Sequence, residues 1–212
     1  MKQFLLIFFC FFTYVINVVA QTKTLNNYER LVAQLESGYT DIDYTQFRKS
    51  FFESQEYVFK KDHITNFDSL KNEIETQAKN NKFFEVIKIG KAILNLDYTS
   101  MMAHQYLRQM YGYVHDSARE VKHKAIQYGL LRSMIGTGDG LSCNTAWDVF
   151  QTEEEYAILA MIGTKSVEHE IVEMGMRVCD KITVETKEGK ERVYYFRIQK
   201  LKANFEDKKA KG

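Results

Sequence analysis

The chain has 212 residues, with 29 lysines and arginines against 28 aspartates and glutamates, three cysteines and no proline. A formal net charge of +1 argues against the basic footprint on which nucleic-acid binding depends. The length allows one sizeable domain or two small ones.

The opening stretch, MKQFLLIFFCFFTYVINVVAQ, carries one charge at Lys2, an apolar run from Phe4 to about Ile16, and the ending Val18-Val19-Ala20. A basic start, a greasy middle and a small residue before the cut are the marks of a secretory signal. Residues 1–20 are therefore read as a signal peptide cleaved after Ala20. The run is shorter than the about 20 apolar residues of a membrane-spanning helix and contains Asn17, so no stable membrane insertion is expected after cleavage. The expected location is periplasmic or extracellular. Of the three cysteines, Cys143 and Cys179 survive cleavage. An oxidising compartment permits a disulfide between them; two half-buried thiols are the alternative.

Residues 21–135 read as helical. KTLNNYERLVAQLESG places Leu25, Tyr28, Leu31, Val32 and Leu35 at helical spacing, and Gly38 can end that helix. In TDIDYTQFRKSFFESQEY, Asp43 with Gln46 three residues on forms a capping box. Tyr44, Phe47 and Phe51 make the apolar stripe, which leaves Arg48 as a solvated side chain. Four denser amphipathic segments follow, carried by Phe67, Leu70 and Ile74; by Phe83, Val86, Ile87, Gly90, Ile93 and Leu94; by Met101, Ala103, Leu107 and Tyr111; and by Val121, Ala125, Ile126, Gly129, Leu130 and Met134. Turns between them are short, so sequential helices should pack as hairpins. Small residues Gly90, Ala92, Ala103 and Gly129 allow close approach of the axes.

NNKFFEVIKIGKAILNLDY followed by AHQYLRQMY resembles a tetratricopeptide repeat. Ala103, Leu107 and Tyr111 stand where that repeat has small, Leu and Tyr residues. Leu94, Leu96 and Asp97 match its helix end, with Tyr98 where proline is usual. Val86-Ile87 and Ala125-Ile126 recur 39 positions apart (125 − 86), against 34 in the repeat, which places an insertion near His115-Asp116. So short a tandem cannot bury its own faces and should pack on the rest of the chain.

The stretch GTGDGLSCNTAWDVFQTEEEY, residues 136–156, looks most like a site, yet structural roles are available for its residues. Gly136 can terminate a helix in the left-handed conformation. Thr137-Gly138-Asp139-Gly140 reads as a turn in which Asp139 bonds nearby backbone. NTAWDVF alternates as a strand with Trp147 and Val149 on one side. Thr152 with Glu155 forms a second capping box, and YAILAMIG continues that helix to Gly163. HEIVEMGMRV reads as a strand or a short helix. RVCDKITVE alternates, with Val178, Asp180, Ile182 and Val184 on one face. KEG is a turn, and RVYYFRIQK returns as a hairpin partner. Asp180 on an apolar face is the oddity, because an unpaired buried carboxylate is costly. A bulge, a basic partner or a cavity would each account for it. Residues 136–200 thus form an α+β region expected to make one compact unit with the helices, and 201–212 a charged flexible tail.

DYTQFR, KAILNLDYTSMMAH, GDGLSCNTAWDVFQTEEEY and VYYF, in that order, resemble domain of unknown function 4919, an uncharacterised family of exported proteins in Bacteroidetes-type bacteria. The likeness spans about residues 40–200 and is strongest at Gly138 to Gly140 and Glu154 to Tyr156. It implies an exported bacterial setting and no activity. The fold expected is α+β: tetratricopeptide-like helical hairpins packed on a small C-terminal antiparallel sheet.

Three functions are compatible with these residues. The first is a non-enzymatic interaction or scaffold protein, with His104, Arg108 and Tyr111 in an exposed groove for a protein or peptide partner. The second is a small hydrolase using Asp139, Asp148, Glu154 and Asp180, which requires at least two of them to share a pocket. The third is a small-molecule or lipid carrier built on the aromatic-rich strands. Trp147 is a further binding candidate beside the Asp139 turn. His63, His104, His115, His123 and His169 form no metal-binding spacing, since zinc needs three or four convergent ligands. GDG fits neither a calcium loop nor a phosphate loop. No metal and no cofactor are therefore expected.

Overall fold

The computed structural model of the chain describes residues 25–175 and 177–198; the signal peptide expected at 1–20 and the tail at 201–212 lie outside them. The fold is α+β, with eight helices and a four-stranded sheet among the described residues.

Helix α1 (Asn27–Glu36) begins at Asn26, whose side chain accepts the Glu29 N–H while Glu29 reaches back to the Asn26 N–H. This reciprocal cap satisfies two otherwise unpaired donors. Tyr28, Leu31 and Leu35 form its buried stripe. Asp43 caps α2 (Tyr44–Phe52) by accepting the Gln46 N–H at 2.9 Å. That helix buries Tyr44, Phe47 and Phe51 as expected, and Arg48 with them. A short helix, α3 (Gln55–Asp62), precedes the dense segments α4 (Ile64–Lys79), α5 (Phe83–Leu96), α6 (Met101–Tyr113) and α7 (Ser117–Ile135). Each of these four packs on the one before it.

Helices α6 and α7 meet at the expected insertion. His115 takes a left-handed backbone (φ 59°) and Asp116 caps α7. The α7 stripe is shifted from its expected course: His123, Ile126, Gln127, Gly129, Leu130 and Met134 are buried, whereas Val121 is exposed. Gly129 is where α7 meets α2. A Cβ there would lie 2.2 Å from the Tyr44 ring, so glycine sets the distance between the two helices. Gly136 ends α7 with a right-handed backbone (φ −70°), not the expected left-handed one.

The sheet order is β1-β4-β3-β2, with β1 (Trp147–Val149), β2 (Lys165–Met174), β3 (Arg177–Glu185) and β4 (Glu191–Ile198). β2–β3 and β3–β4 are antiparallel, but β1 pairs with β4 in parallel. The sheet is therefore mixed rather than purely antiparallel. The cause is α8 (Thr152–Met161), which follows β1 and turns the chain before β2. Alternation along β3 and β4 sends Ile182, Val184, Tyr194 and Phe196 into one hydrophobic cluster with the helices. On the opposite face Cys143, Ala146 and Cys179 form a small second cluster. Cys143 and Cys179 are joined by a disulfide, with Cα atoms 5.7 Å apart.

The glycine corner closes onto β1. A Cβ on Gly138 would lie 2.1 Å from the Thr145 carbonyl oxygen, and Gly140 has a left-handed backbone (φ 69°) beneath the Trp147 ring. A side chain at either position would force the loop away from the sheet. The expected Thr152–Glu155 capping box is absent: Thr152 is the first residue of α8, Gln151 occupies the cap position without a side-chain bond to the helix, and Glu155 is fully buried. Among the described residues no helix is long and apolar enough to cross a membrane.

Candidate functional site

A cleft of about 460 Å³ opens between α4, α6 and α8. Phe67 from α4, Met101, Met102 and Tyr106 from α6, and Tyr156, Ala157 and Ala160 from α8 supply its apolar and aromatic walls. The short link between α5 and α6 and the residue before α8 supply its floor, through Asp97, Thr99 and Gln151. Size and lining are those of a ligand pocket: mostly apolar surface with a few placed polar groups.

The floor is a closed hydrogen-bond set. Asp97 Oδ1 accepts from the Thr99 backbone at 2.8 Å and from the Thr99 hydroxyl at 2.5 Å. Asp97 Oδ2 accepts from Lys60 at 2.8 Å and from Gln151 at 3.2 Å. Lys60 also donates to Gln151 Oε1 at 2.9 Å and lies 3.5 Å from Glu153. Its side chain is only 2% exposed. Burial works to discharge the ammonium, but the Asp97 and Glu153 carboxylates outweigh it and hold the Lys60 pKa above its ordinary value. Lys60 also rests 4.2 Å over the Phe67 ring, a desolvated cation–π contact.

Behind this floor lies a second buried pair. Arg48 binds Glu154 through two parallel bonds, Nε to Oε1 at 2.7 Å and Nη2 to Oε2 at 2.8 Å. It also donates to the Asp148 carbonyl and the Ser133 hydroxyl. Glu154 in turn accepts the Phe150 N–H at 2.8 Å. The bidentate geometry and full set of partners are what allow an ion pair to stand inside the protein. Arg48 is thus 1% exposed, and the expectation of a solvated arginine is corrected: it ties α2 to the start of α8. Lys60, Asp97, Thr99 and Gln151 are each committed to another protein group.

Residues 15–207 match the model of a family described as Domain of unknown function (DUF4919). The chain belongs to that family. No match was found among curated proteins or solved structures. DUF4919 membership carries no activity with it, so the residues themselves must bear the functional reading.

Of the candidate site residues expected from sequence (His104, Arg108, Tyr111, Asp139, Trp147, Asp148, Glu154 and Asp180), Glu154 alone lines the cleft of this DUF4919 chain. His104 and Tyr111 are buried in the core and cannot line an exposed groove, while Arg108 on the same helix is half-buried. His104 Nε2 donates to the Tyr98 carbonyl at 2.9 Å, and its Nδ1 lies 2.8 Å from His123 Nδ1. Burial lowers both imidazoles, His104 to about 4 and His123 to about 3. They form a neutral pair, stacked on Tyr111 through His123. Asp139 is exposed and accepts from the Leu141 N–H and the Thr145 hydroxyl; the Thr145 bond is the main cause of its lowered pKa. Trp147 donates from its indole to the Gly138 carbonyl and stacks on Tyr194. Asp148 pairs with Arg197 at 3.1 Å.

Asp180 resolves in favour of a basic partner: His169 from β2 binds its carboxylate. No bulge accompanies it, since β2 and β3 stay in register at Ile171–Asp180. Burial nevertheless raises the Asp180 pKa against the pull of His169. Asp139, Asp148, Glu154 and Asp180 therefore have separate partners and do not gather in the cleft. The acid expected from sequence as a helix cap has a different place. Glu155 is fully buried, both of its oxygens lack hydrogen-bond partners, and burial followed by the nearby Asp180, Glu154 and Glu153 carboxylates pushes its pKa to about 9. It is turned into the core, away from the cleft. Among the described residues no three metal-ligating side chains gather as a metal site.

Proposed function

We propose that this is an exported, non-enzymatic interaction protein that uses the cleft between α4, α6 and α8 to hold a short segment of a partner polypeptide. The carrying observation is the pairing of open apolar walls with a polar floor whose groups satisfy one another. Such a site offers contact area to an incoming chain, while its floor groups Lys60, Asp97 and Gln151 are held by one another. Met101 and Met102 add unbranched, polarizable side chains that mould to varied surfaces. The signal-like opening sequence supports export, and so does the Cys143–Cys179 disulfide, a bond favoured outside the reducing cytosol. The hydrolytic alternative loses its basis because its four acids hold separate partners. The strand-based carrier has no comparable support, because Trp147, Ile158, Ile182 and Phe196 are buried where sheet and helices meet.

The test is affinity capture from an extract of exported host proteins, with the mature chain and its Ala160→Trp variant as paired baits. Ala160 lines the cleft on an exposed helix face, so tryptophan there should block the cleft and leave the fold intact. A partner retained by the parent and lost by the variant is the expected outcome. Identical capture by both baits would refute the cleft as the site.

A further inference from the structure

Charge around the cleft is unevenly matched. Arg48 is taken by Glu154 and Lys60 by Asp97. Neither of those cations lines the cleft; Lys71 does, and it lies 3.5 Å from Asp68 and 5.6 Å from the Phe67 ring centroid. Pairing each cation with its nearest carboxylate leaves Glu75 and Glu153 over, one on α4 and one at the start of α8. Glu153 has only a share of Lys60, at 3.5 Å.

The buried donors are also spoken for. The Lys60 ammonium and the Arg48 guanidinium spend their donors on Asp97, Gln151, Glu154, Ser133 and the Asp148 carbonyl. An incoming anion would meet two carboxylates and, in the lining, a lysine already shared with Asp68. An incoming cation would meet those carboxylates together with Tyr106 and Tyr156 as aromatic faces. The Phe67 ring is buried and already has Lys60 4.2 Å and Lys71 5.6 Å from its centroid, so Glu75, Glu153 and the two tyrosines are the groups left to an incoming cation.

Resting on the cleft as the binding site, we infer that its occupant is a peptide segment with a basic side chain between apolar neighbours: the alkyl stem against Met101 and Met102, and the charged head between Glu75 and Glu153. A long basic side chain suits such a place because its stem is apolar and its head charged. Lys71 stands at the same wall as a resident competitor for the two carboxylates.

The experiment titrates the mature, disulfide-bonded protein, labelled at its methionine methyls, with three capped tripeptides: Leu-Lys-Leu, Leu-Gln-Leu and Leu-Glu-Leu. Methyl signals of Met101 and Met102, assigned through Met→Leu variants, report the cleft. The lysine peptide should bind at least about tenfold more tightly than the other two and weaken several-fold in 0.5 M salt, as screening of exposed charge requires. Glu75→Gln should weaken it, Glu75→Gln with Glu153→Gln should abolish the preference, and Lys71→Met should tighten it. Equal or tighter binding of the glutamine or glutamate peptide overturns the basic occupant and leaves the cleft as a peptide site. If pentylamine moves the methyls as strongly as the lysine peptide, the occupant is a free amine and the peptide assignment falls. If none of the ligands moves them, the cleft reading falls as well.

Discussion

Glu155 should make the protein less stable at neutral pH than its packing would allow, and replacing it with glutamine should reverse that. In the folded chain its carboxyl titrates near 9, against 4.5 for an unperturbed glutamate. At pH 7 the folded protein holds the proton and the unfolded chain has released it. The penalty spans the 2.5 units between 4.5 and 7, and at about 1.36 kcal/mol per unit it amounts to about 3 kcal/mol. The sign follows from the acid being raised: the penalty is absent below pH 4.5, grows as pH rises, and saturates above 9. Glu155→Gln keeps the shape and removes the titration, while a buried polar group still lacks a partner. The two proteins should therefore have similar stability near pH 4.5 and diverge by roughly 1.4 kcal/mol per pH unit above it. At pH 7 the variant should melt roughly 6–12 °C higher, as expected for a chain of this size. Urea unfolding of both proteins at pH 4.5, 6, 7 and 8 measures the divergence. A difference that does not change with pH would show that Glu155 is ionised in the fold and that the reasoning is wrong.

Removing Arg48 alone, as Arg48→Met, should cost about 3–5 kcal/mol because Glu154 is left buried and unpaired, whereas Arg48→Met with Glu154→Leu should recover most of it; a double variant as unstable as the single one would contradict this in denaturant unfolding. The His104–His123 pair has its folded pKa values below the unfolded value, so its contribution is complete above pH 6.5 and fades as pH falls towards 4 and 3. His123→Phe should flatten the rise in stability between pH 4 and 6.5, measured on the same urea curves. Reducing the disulfide, which links positions separated by 36 in sequence, should cost about 4 kcal/mol on the chain-entropy view. Calorimetry with and without reductant would show a lower midpoint, and an unchanged midpoint would mean the corner is held by packing alone.

Periodicity made most of the architecture legible. Tyr28, Leu31 and Leu35, or Val178, Ile182 and Val184, announce their elements because the buried face repeats at the period of the backbone. The glycine corner was legible from turn chemistry instead: Gly140 takes a left-handed backbone and Asp139 accepts the Leu141 N–H. The cleft was not, because its key groups invert the pattern that makes helices readable. In α3, Val58 and Phe59 are exposed while Lys60 is buried; in α2, Arg48 is buried beside the stripe it interrupts. Lys60 and Asp97 are 37 residues apart, and Arg48 and Glu154 are 106 apart. Only the packed fold tells such charges from solvated ones. Glu155 was misread because a glutamate three residues after threonine has a local role on offer, and the tertiary structure gave it another. The parallel pairing of β1 escaped because a three-residue strand carries no signal of its partner or direction.

The strand order has a consequence for how the molecule comes into being. β4 occupies an interior place in the sheet although it follows every other described strand in the chain. A polypeptide emerging from its N-terminus can assemble the helices and close the β2–β3 hairpin early, but Trp147–Val149 must wait for Phe196–Ile198 to arrive. Until then the Trp147 and Ile182 sides of a gap stand open to water. Completion of the sheet is thus deferred until β4, the last described strand in the chain, is available to both β1 and β3.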